Sequence, residues 1–512
     1  MKSAPTPRKV RLLVSTIAVA CLAFVCAGPA AANIGSYTTR GAWSFVSAPG
    51  LHPARELTAG SIQRRSLAPG DFLLDVFPNA SETGPMTGEG GPLILDNQLR
   101  PVWFAPVGTG VESADLQQET YAGKPVLVWW EGQVTGTGAT RSGEVVVVDQ
   151  HYRRVATLRA KGPWTISLHD AEISGTGIWV TVYRYLRGQN LVPYGGSRNG
   201  TVYDAGVQEY DLKSGRLLYT WDALNPGGAA HVPLTASRQS ATQGKPWDAY
   251  HVNTVQVLPG NQILVSMRNT WAAYLVDVPT GAIVWTLGGK NSSFAFSAGA
   301  HFSWQHDVQL LGANEVTLFN DNCCEQRPDG SYVRPPGPAD AMVLKLNLLT
   351  HTASRVATYT HSPALTPAYL GSTQLLTNGN ALVGWGSKPY FTEYARSGEP
   401  LLDAYFPLKD LSYRVLYSAS WVATPYYPPR GAARSVHGKT VVYASWNGAT
   451  EVRSWRVLAG TSAGHLSPAA TARRNGFETA VALTHHGYTV FEVQARGAGG
   501  IVLGTSRAFR AG

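Results

Sequence analysis

The sequence predicts an all-β protein, a six-bladed β-propeller followed by a small β-sandwich. A pattern of two apolar strands around a short turn recurs six times along the chain. Turn formers and aromatics are abundant, with 54 Gly, 32 Pro, 15 Trp and 23 Tyr in 512 residues, and charged residues make up only 15%, against about 25% in an average soluble protein. The composition then changes after about Thr424. Low charge and frequent turns exclude long exposed helices, coiled coils and charged tails.

The first 32 residues read as a removable leader. Lys2 to Arg11 is basic, Leu12 to Ala27 carries no charge, and Ala30-Ala31-Ala32 fits an A-x-A cleavage site. The apolar run of 16 residues is short of the ~20 that span a bilayer. A signal peptide over 1–32 is therefore expected, with a secreted or cell-envelope location and no stable membrane insertion. Lys2, Arg8, Lys9 and Arg11 account for four positive charges in a chain of net charge +9. No Lys/Arg block stands out in the remainder, so nucleic acid is not an expected partner. Beyond the leader only Cys323 and Cys324 remain. They form either a vicinal disulfide or two thiols, and in neither case a disulfide scaffold.

The repeated hairpins occur at Gly91 to Phe104, Gly143 to Leu158, Gly206 to Trp221, Ala272 to Gly288, Ala341 to Tyr359 and Tyr390 to Phe406. Their anchor residues Asp96, Asp149, Asp211, Asp277, Asn347 and Tyr394 are spaced 47 to 70 residues apart. That spacing suits one four-stranded blade per repeat. One blade reads in full, with strands at 251–258, 263–269, 272–278 and 282–287. The propeller domain is placed at 33–425. TPYYPPRG is read as a linker, and 431–512 as a module of short strands with an early Trp446, resembling a fibronectin type III-like sandwich.

The first strand of a propeller blade lines the central channel, so its start is where chemistry is sought. Three consecutive blades place a histidine there: His169 in SLHDAEI, His251 in YHVNTVQVL and His306 in WQHDVQLL. Arg268 is expected in the second strand of the His251 blade. Asn320, Asp321 and Asn322 follow the corresponding strand of the next blade, and Tyr250, Trp304 and Trp385 could supply aromatic walls. Imidazoles beside a guanidinium suit a sulfate- or phosphate-like group, with histidine as nucleophile or as general acid or base. Three histidines could also hold zinc. They lack short ligand spacing and no His-x-Glu or Cys-x-x-Cys pair accompanies them, so neither a metal nor a cofactor is expected.

On these residues the sequence resembles the bacterial-type arylsulfotransferase family (aryl-sulfate sulfotransferases), particularly its shorter actinobacterial and fungal-like branch. The matching stretches run through GPLILDNQLRPVWF, VLVWWEGQVTGTG, LHDAEI, QEYDLKSGRLLYTW, YHVNTVQVLPGNQILVSMRNTWAAYLVDVPTGAIVWTLGGK, WQHDVQLL, LFNDN and LLTNGNALVGWGSKPYFTEY to LSYRV, over roughly residues 65 to 425. The resemblance implies a six-bladed propeller with its active site in the channel. It also implies transfer of a sulfuryl group from a phenolic sulfate ester to a phenolic acceptor by a ping-pong route through a sulfated histidine, without a nucleotide donor. The absence of a phosphate-binding Gly-rich loop agrees with that.

His251 in His-Val-Asn253 and His306 in Gln-His-Asp307 match family active-site positions, and Arg268 matches a Ser-x-Arg segment. Either His306 or His251 would be the nucleophile, His169 and the remaining histidine acid or base, and Arg268 a partner of the sulfuryl oxygens. Asn253, Asp307, Asn320, Asn322, Tyr250 and Trp385 are the expected substrate-binding residues. Family members usually carry Ser-Arg where this chain has Ala339-Asp340, with Arg334 or Arg327 the nearest substitutes. The family's sulfated histidine also belongs to a later blade, where only His361 is a loose candidate. The alternative expectation is a non-catalytic extracellular propeller that binds an anionic or aromatic ligand. A metal- or quinone-dependent enzyme is disfavoured.

Overall fold

The computed structural model describes residues 37–511 except 61, 81, 135–139, 243–245 and 327–331. The leader and Arg327 lie outside the described residues. Six sheets share one plan, an antiparallel four-stranded meander. Strands Asp71–Pro78, Gly91–Asp96 and Pro101–Phe104 form the first sheet with Val415–Ser418, which follows the last of the six hairpins in sequence. The second comprises Glu112–Tyr121, Lys124–Val134, Thr140–Val148 and Arg154–Leu158, and the third Thr165–Ser174, Gly177–Gln189, Gly200–Asp211 and Arg216–Asp222. Val252–Leu258, Gln262–Met267, Ala272–Asp277 and Ile283–Gly288 make the fourth. The fifth is built from His306–Leu311, Glu315–Asn320, Asp340–Asn347 and Thr352–Tyr359, and the sixth from Ser372–Leu375, Ala381–Gly384, Tyr390–Tyr394 and Pro400–Tyr405. The first strand of each sheet packs on that of the next, and Ser372–Leu375 packs back on Val415–Ser418. Since Val415–Ser418 pairs with Asp71–Pro78, the two ends of this region are joined through main-chain hydrogen bonds.

The six recurrent hairpins are the third and fourth strands of these sheets. Five anchors act through their side chains. Asp96 accepts from the amides of Gln98 and Arg100, Asp149 from His151 and Arg153, Asp211 from Ser214, Asp277 from Thr280, and Asn347 from Leu349 and Thr350. Asx side chains satisfy turn amides that the ladder leaves open, which is why Asp or Asn recurs at this position. The sixth hairpin has no such residue and turns through Gly398 at φ 89° instead.

The strand predicted at 263–269 stops at Met267. Arg268 lies in a short 3-10 turn, Arg268–Thr270. The amides of Arg268 and Asn269 turn back onto the carbonyls of His251 and Tyr250 (2.9 Å each), and these bonds replace the next ladder rungs.

Past Arg430 the chain forms two sheets. One has the order Arg430–Val436, Lys439–Ser445, Glu478–Ala482; the other Ser467–Arg473, Ser454–Gly460, Val490–Arg496, Val502–Thr505. Trp446, Trp455, Val457, Phe491 and Val493 fill the core between them. The proline-rich stretch between the two parts is tied down rather than free. Thr424 and Tyr426 donate their amides to Gln150 and His151 carbonyls, and Asn447 clasps both the N–H and C=O of Phe104 (2.9 and 2.8 Å). On the other side Ser47 bonds Glu478 and Ser445, and Phe45 packs on Phe477 at 4.2 Å.

Candidate active site

Three histidines from three consecutive sheets meet where the first strands converge. The His169 ring lies 4.9 Å from His251 and 6.4 Å from His306, centroid to centroid, and Tyr413 stands 5.4 Å from His169 and 6.3 Å from His306. All three imidazoles are buried, at 1%, 2% and 0% exposure. What brings them together is a break in strand register shared by the sheets. Pairing slips between Ile166 and Ala171, between Val252 and Thr254, and between His306 and Gln309. Such bulges add a residue to one strand and re-aim its side chains. His251 and Asp307 adopt φ of 56° and 49° to accommodate them, a conformation that costs non-glycine residues energy and persists only when the surroundings enforce it.

Each ring is oriented by a different partner. His251 Nδ1 meets Asp248 Oδ2 in a short contact. Burial alone would raise the Asp248 carboxyl, but the His251 ring and the Arg268 guanidinium outweigh it and hold it below its ordinary value. Asp248 is therefore ionised and accepts, His251 Nδ1–H donates, and Nε2 keeps its lone pair with no hydrogen-bond partner among the described residues. His306 differs. Its Nδ1 lies 2.6 Å from Asp321 Oδ2, and its Nε2 accepts the Leu370 amide at 3.3 Å. The amide fixes the proton on Nδ1 and occupies the lone pair on Nε2. His169 Nδ1 lies 2.6 Å from the Ser167 hydroxyl. Burial, followed by neighbouring cations and imidazoles, lowers the pKa of all three, well below the usual value for His169 and His306. The cluster is a set of neutral imidazoles.

Arg268 supplies the charge beside them. Its Nε donates to Asn269 Oδ1 at 3.0 Å, and its guanidinium stacks on Trp304 at 4.3 Å. After burial itself, its charge is the strongest influence depressing both His251 and His306.

Directly next to the histidines in sequence runs a second layer. Arg414 bonds Asp115 (2.9 Å) and Asp170 (3.1 Å) and lies 3.7 Å from Asp307, while also donating to the Asn253 carbonyl at 3.3 Å. Asp170 and Asp307 are the residues following His169 and His306. Asp307, expected to bind substrate, is thus committed to Arg414 and to the Thr373 amide (2.9 Å). Asn253 donates to the Gln305 carbonyl at 2.7 Å.

The other expected substrate residues do not join the cluster. The Tyr250 hydroxyl donates to the Val232 carbonyl inside the core between the third and fourth sheets. Trp385 packs on Phe319 and His361, with its N–H on Thr392. Asn320 joins Ser303 to Asp340, and Asn322 bonds Pro338 and Arg334. His361 sits 3.2 Å from Asp403 among Trp385 and Tyr390, with no ring contact to the three histidines. Cys323 and Cys324 are joined as a disulfide. Among the described residues no three His, Cys, Asp or Glu side chains converge on a common metal position.

Sequence reasoning missed the orienting Asp248, the hub Arg414 and the wall residue Tyr413. Asp248 stands three residues before His251, and Tyr413 and Arg414 lie inside the quoted LSYRV. Their spacing along the chain carries no sign of the partners they meet across the ring.

A family model described as arylsulfotransferase (ASST) matches residues 117–406. The chain belongs to the arylsulfotransferase family. Membership supports sulfuryl transfer among small aryl substrates as the general class of activity. No curated protein matches the chain. Among solved structures, a protein of unknown function from Bacteroides caccae aligns over 69% of this chain and 100% of its own, at 11% identity and TM-score 0.41. A β-propeller domain from Myceliophteria thermophila aligns over 77% and 97%, at 9% identity and TM-score 0.36. These likenesses carry no argument about chemistry. Among the described residues no helix is long and apolar enough to cross a membrane.

Proposed function

We propose that this chain is an exported six-bladed propeller enzyme, with a fibronectin type III-like module, that moves a sulfuryl group from a phenolic sulfate ester to a phenol through a sulfated histidine. The observation that carries the reading is the asymmetry between His251 and His306. Asp248 accepts the Nδ1–H of His251 and leaves its Nε2 lone pair unengaged, whereas the Leu370 amide occupies Nε2 of His306. His251 is accordingly the nucleophile in this reading.

In the first half-reaction Nε2 of His251 attacks sulfur, the S–O bond to the aryl group breaks, and the electron pair leaves on the phenolate. His169, with the Ser167 hydroxyl donating to Nδ1, keeps its Nε2 proton and donates a hydrogen bond to that oxygen, which departs as phenolate. In the second, the acceptor enters as a phenolate, its proton lost to solvent; the phenolate attacks sulfur, and the N–S bond breaks with its electron pair returning to Nε2 of His251. Arg268 faces the sulfuryl oxygens, whose charge it offsets beside buried, neutral imidazoles. Asp248 offsets the positive charge on the sulfated ring.

The test is peptide mass spectrometry after incubation with p-nitrophenyl sulfate and no acceptor. One added sulfuryl group on the peptide bearing His251, discharged by phenol, is expected. An unmodified protein, or a sulfuryl group on the His306 peptide, would overturn the assignment.

A further inference from the structure

We propose that the outer edge of this site holds a second anion subsite, formed by Arg238, Arg334 and Trp271, that selects aryl substrates carrying an additional carboxylate or sulfate. The inference rests on the transfer reading above for what the substrate is, and on its own set of donors for where the extra anion sits.

Among the described residues, three arginines have a buried Nε without a hydrogen-bond partner: Arg238, Arg334 and Arg414. Arg414 is neutralised by its ring of aspartates. The other two converge on one indole, with guanidinium carbons 4.8 and 4.9 Å from the Trp271 ring centroid. Stacking alone does not explain the unpaired Nε. The stacked Arg184 and Arg268 both place theirs on an acceptor, Asp204 and Asn269, at 3.0 Å. The Trp271 indole N–H and the Gln239 side-chain nitrogen are also buried and unpartnered. Three of these unpaired donors, the two guanidinium Nε groups and the indole N–H, therefore gather at one ring, and the fourth belongs to the residue that follows Arg238. Unsatisfied buried donors are costly, and the arginine fork matches a planar or tetrahedral oxoanion.

The charge balance points the same way. Burial lowers Arg334, Glu325 opposes that, and Arg238 lowers it further. Lys290 feels the same Arg238 and Glu325 while its Nζ donates to the Thr235 and Ser237 carbonyls. One carboxylate thus faces three cations.

The subsite adjoins the histidines through short covalent and hydrogen-bonded links. Trp271 ends the turn that begins at Arg268. The Arg238 amide donates to the Asn269 carbonyl at 2.8 Å, and Asn269 in turn receives Arg268 Nε. Arg334 bonds the Ser303 hydroxyl, next to Trp304 on which Arg268 stacks. An aryl ring with its sulfuryl group at Arg268 would carry a second anion toward Arg238 and Arg334.

The test compares 4-hydroxyphenylacetate with 4-ethylphenol, phenols of similar acidity that differ in the anion. Binding of each to the full chain is measured by calorimetry, and transfer from p-nitrophenyl sulfate is measured separately. The carboxylate ligand is expected to bind at least tenfold more tightly, and inorganic sulfate to compete with it but not with 4-ethylphenol. Arg238→Gln and Arg334→Lys are each expected to reduce the preference to threefold or less. Thermal unfolding confirms that both variants fold, and Arg238→Gln removes no side-chain hydrogen bond among the described residues. Equal affinities in the unaltered protein, or a preference that survives both substitutions, would overturn the subsite. Arginine-dependent binding of inorganic sulfate without preference for the carboxylate phenol would also overturn it, as a free-anion site. A preference without transfer would retain the subsite and remove the transfer reading, and transfer without preference would do the reverse.

Discussion

Asp248→Asn isolates the feature on which the assignment of the nucleophile depends. The substitution keeps size and shape but turns an obligate acceptor into a group that can donate. In the native site the ionised Asp248 accepts a hydrogen bond from the Nδ1–H of His251, so Nε2 has the free lone pair. An asparagine amide donating to Nδ1 favours the other tautomer and places the proton on the nitrogen that should attack. The carboxylate also offsets the positive charge that grows on the ring when Nε2 bonds to sulfur. At ~4 Å and an effective dielectric of about 20, that interaction is about 4 kcal/mol. The loss of the equivalent carboxylate in a serine protease triad costs about 10^4 in rate, or about 5.4 kcal/mol. The two estimates converge on a fall of about 10^3 to 10^4 in the release of p-nitrophenol from p-nitrophenyl sulfate. Stopped-flow absorbance follows the first turnover, and a thermal melt checks the fold. A first-turnover rate within tenfold of the unaltered protein would refute the orienting role of Asp248 and, with it, the reason for preferring His251.

The pH profile of the same half-reaction should hold to below about 6.5, the ordinary histidine value, because burial and Arg268 depress His251; a midpoint at or above 6.5 would contradict a neutral, depressed nucleophile. The same depression sets a stability trend. Below about 6.5 the unfolded chain binds protons that buried His169, His251 and His306 resist, so resistance to urea should fall as pH drops through that value. Glu56 is shifted the opposite way, by burial and then by Asp410, from 4.5 up to about 8. Its stabilising contribution is complete below 4.5 and declines by about 1.4 kcal/mol per pH unit until the folded group ionises near 8; Glu56→Gln should flatten urea midpoints over that range, and an unchanged slope would exclude Glu56 as the source. Arg414→Met leaves Asp115, Asp170 and Asp307 buried without their cation, so a loss of about 3–5 kcal/mol in urea unfolding is expected, and a loss below 1 kcal/mol would show that the hub is not needed.

Much of the fold was legible because its signals are local. An Asx residue caps a turn within three or four residues of itself, so Asp96, Asp149, Asp211, Asp277 and Asn347 announce their hairpins in sequence. The three histidines were legible for the same reason, since each opens or lies within a recognisable first strand. Partners across the ring were not. Arg414 lies 244 residues from Asp170 and 299 from Asp115, and nothing in the local pattern links them. Tyr250 and Trp385 pack away from the three histidines because large aromatics beside a first strand serve equally well as wedges between sheets. Tyr250 follows that route, with its hydroxyl on a core carbonyl. Asp307 was expected at the substrate because it adjoins His306, yet a bulge places neighbouring residues in different layers.

That bulge clarifies how chemistry is grafted onto this scaffold. The second sheet slips register between Ala114 and Gln117, with Asp115 at φ 66°. This is the same defect seen beside His169, His251 and His306. Asp115 reaches Arg414 just as Asp170 and Asp307 do, but the residue before it is Ala114, with no imidazole to present. The bulge therefore exists where there is no histidine to aim. Its common element is a contact with Arg414, made by the aspartate side chain in three sheets and by the Asn253 carbonyl in the fourth, which ties first strands together and offsets the backbone strain. The histidines occupy the adjoining position in the sheets where that frame already stands. Neutral imidazoles stay fixed there because the carboxylates that could charge them are either committed to Arg414 or, as with Asp248 and Asp321, confined to one ring nitrogen. The fold provides the layer, and the reactive residues are an addition to it that the second sheet does without.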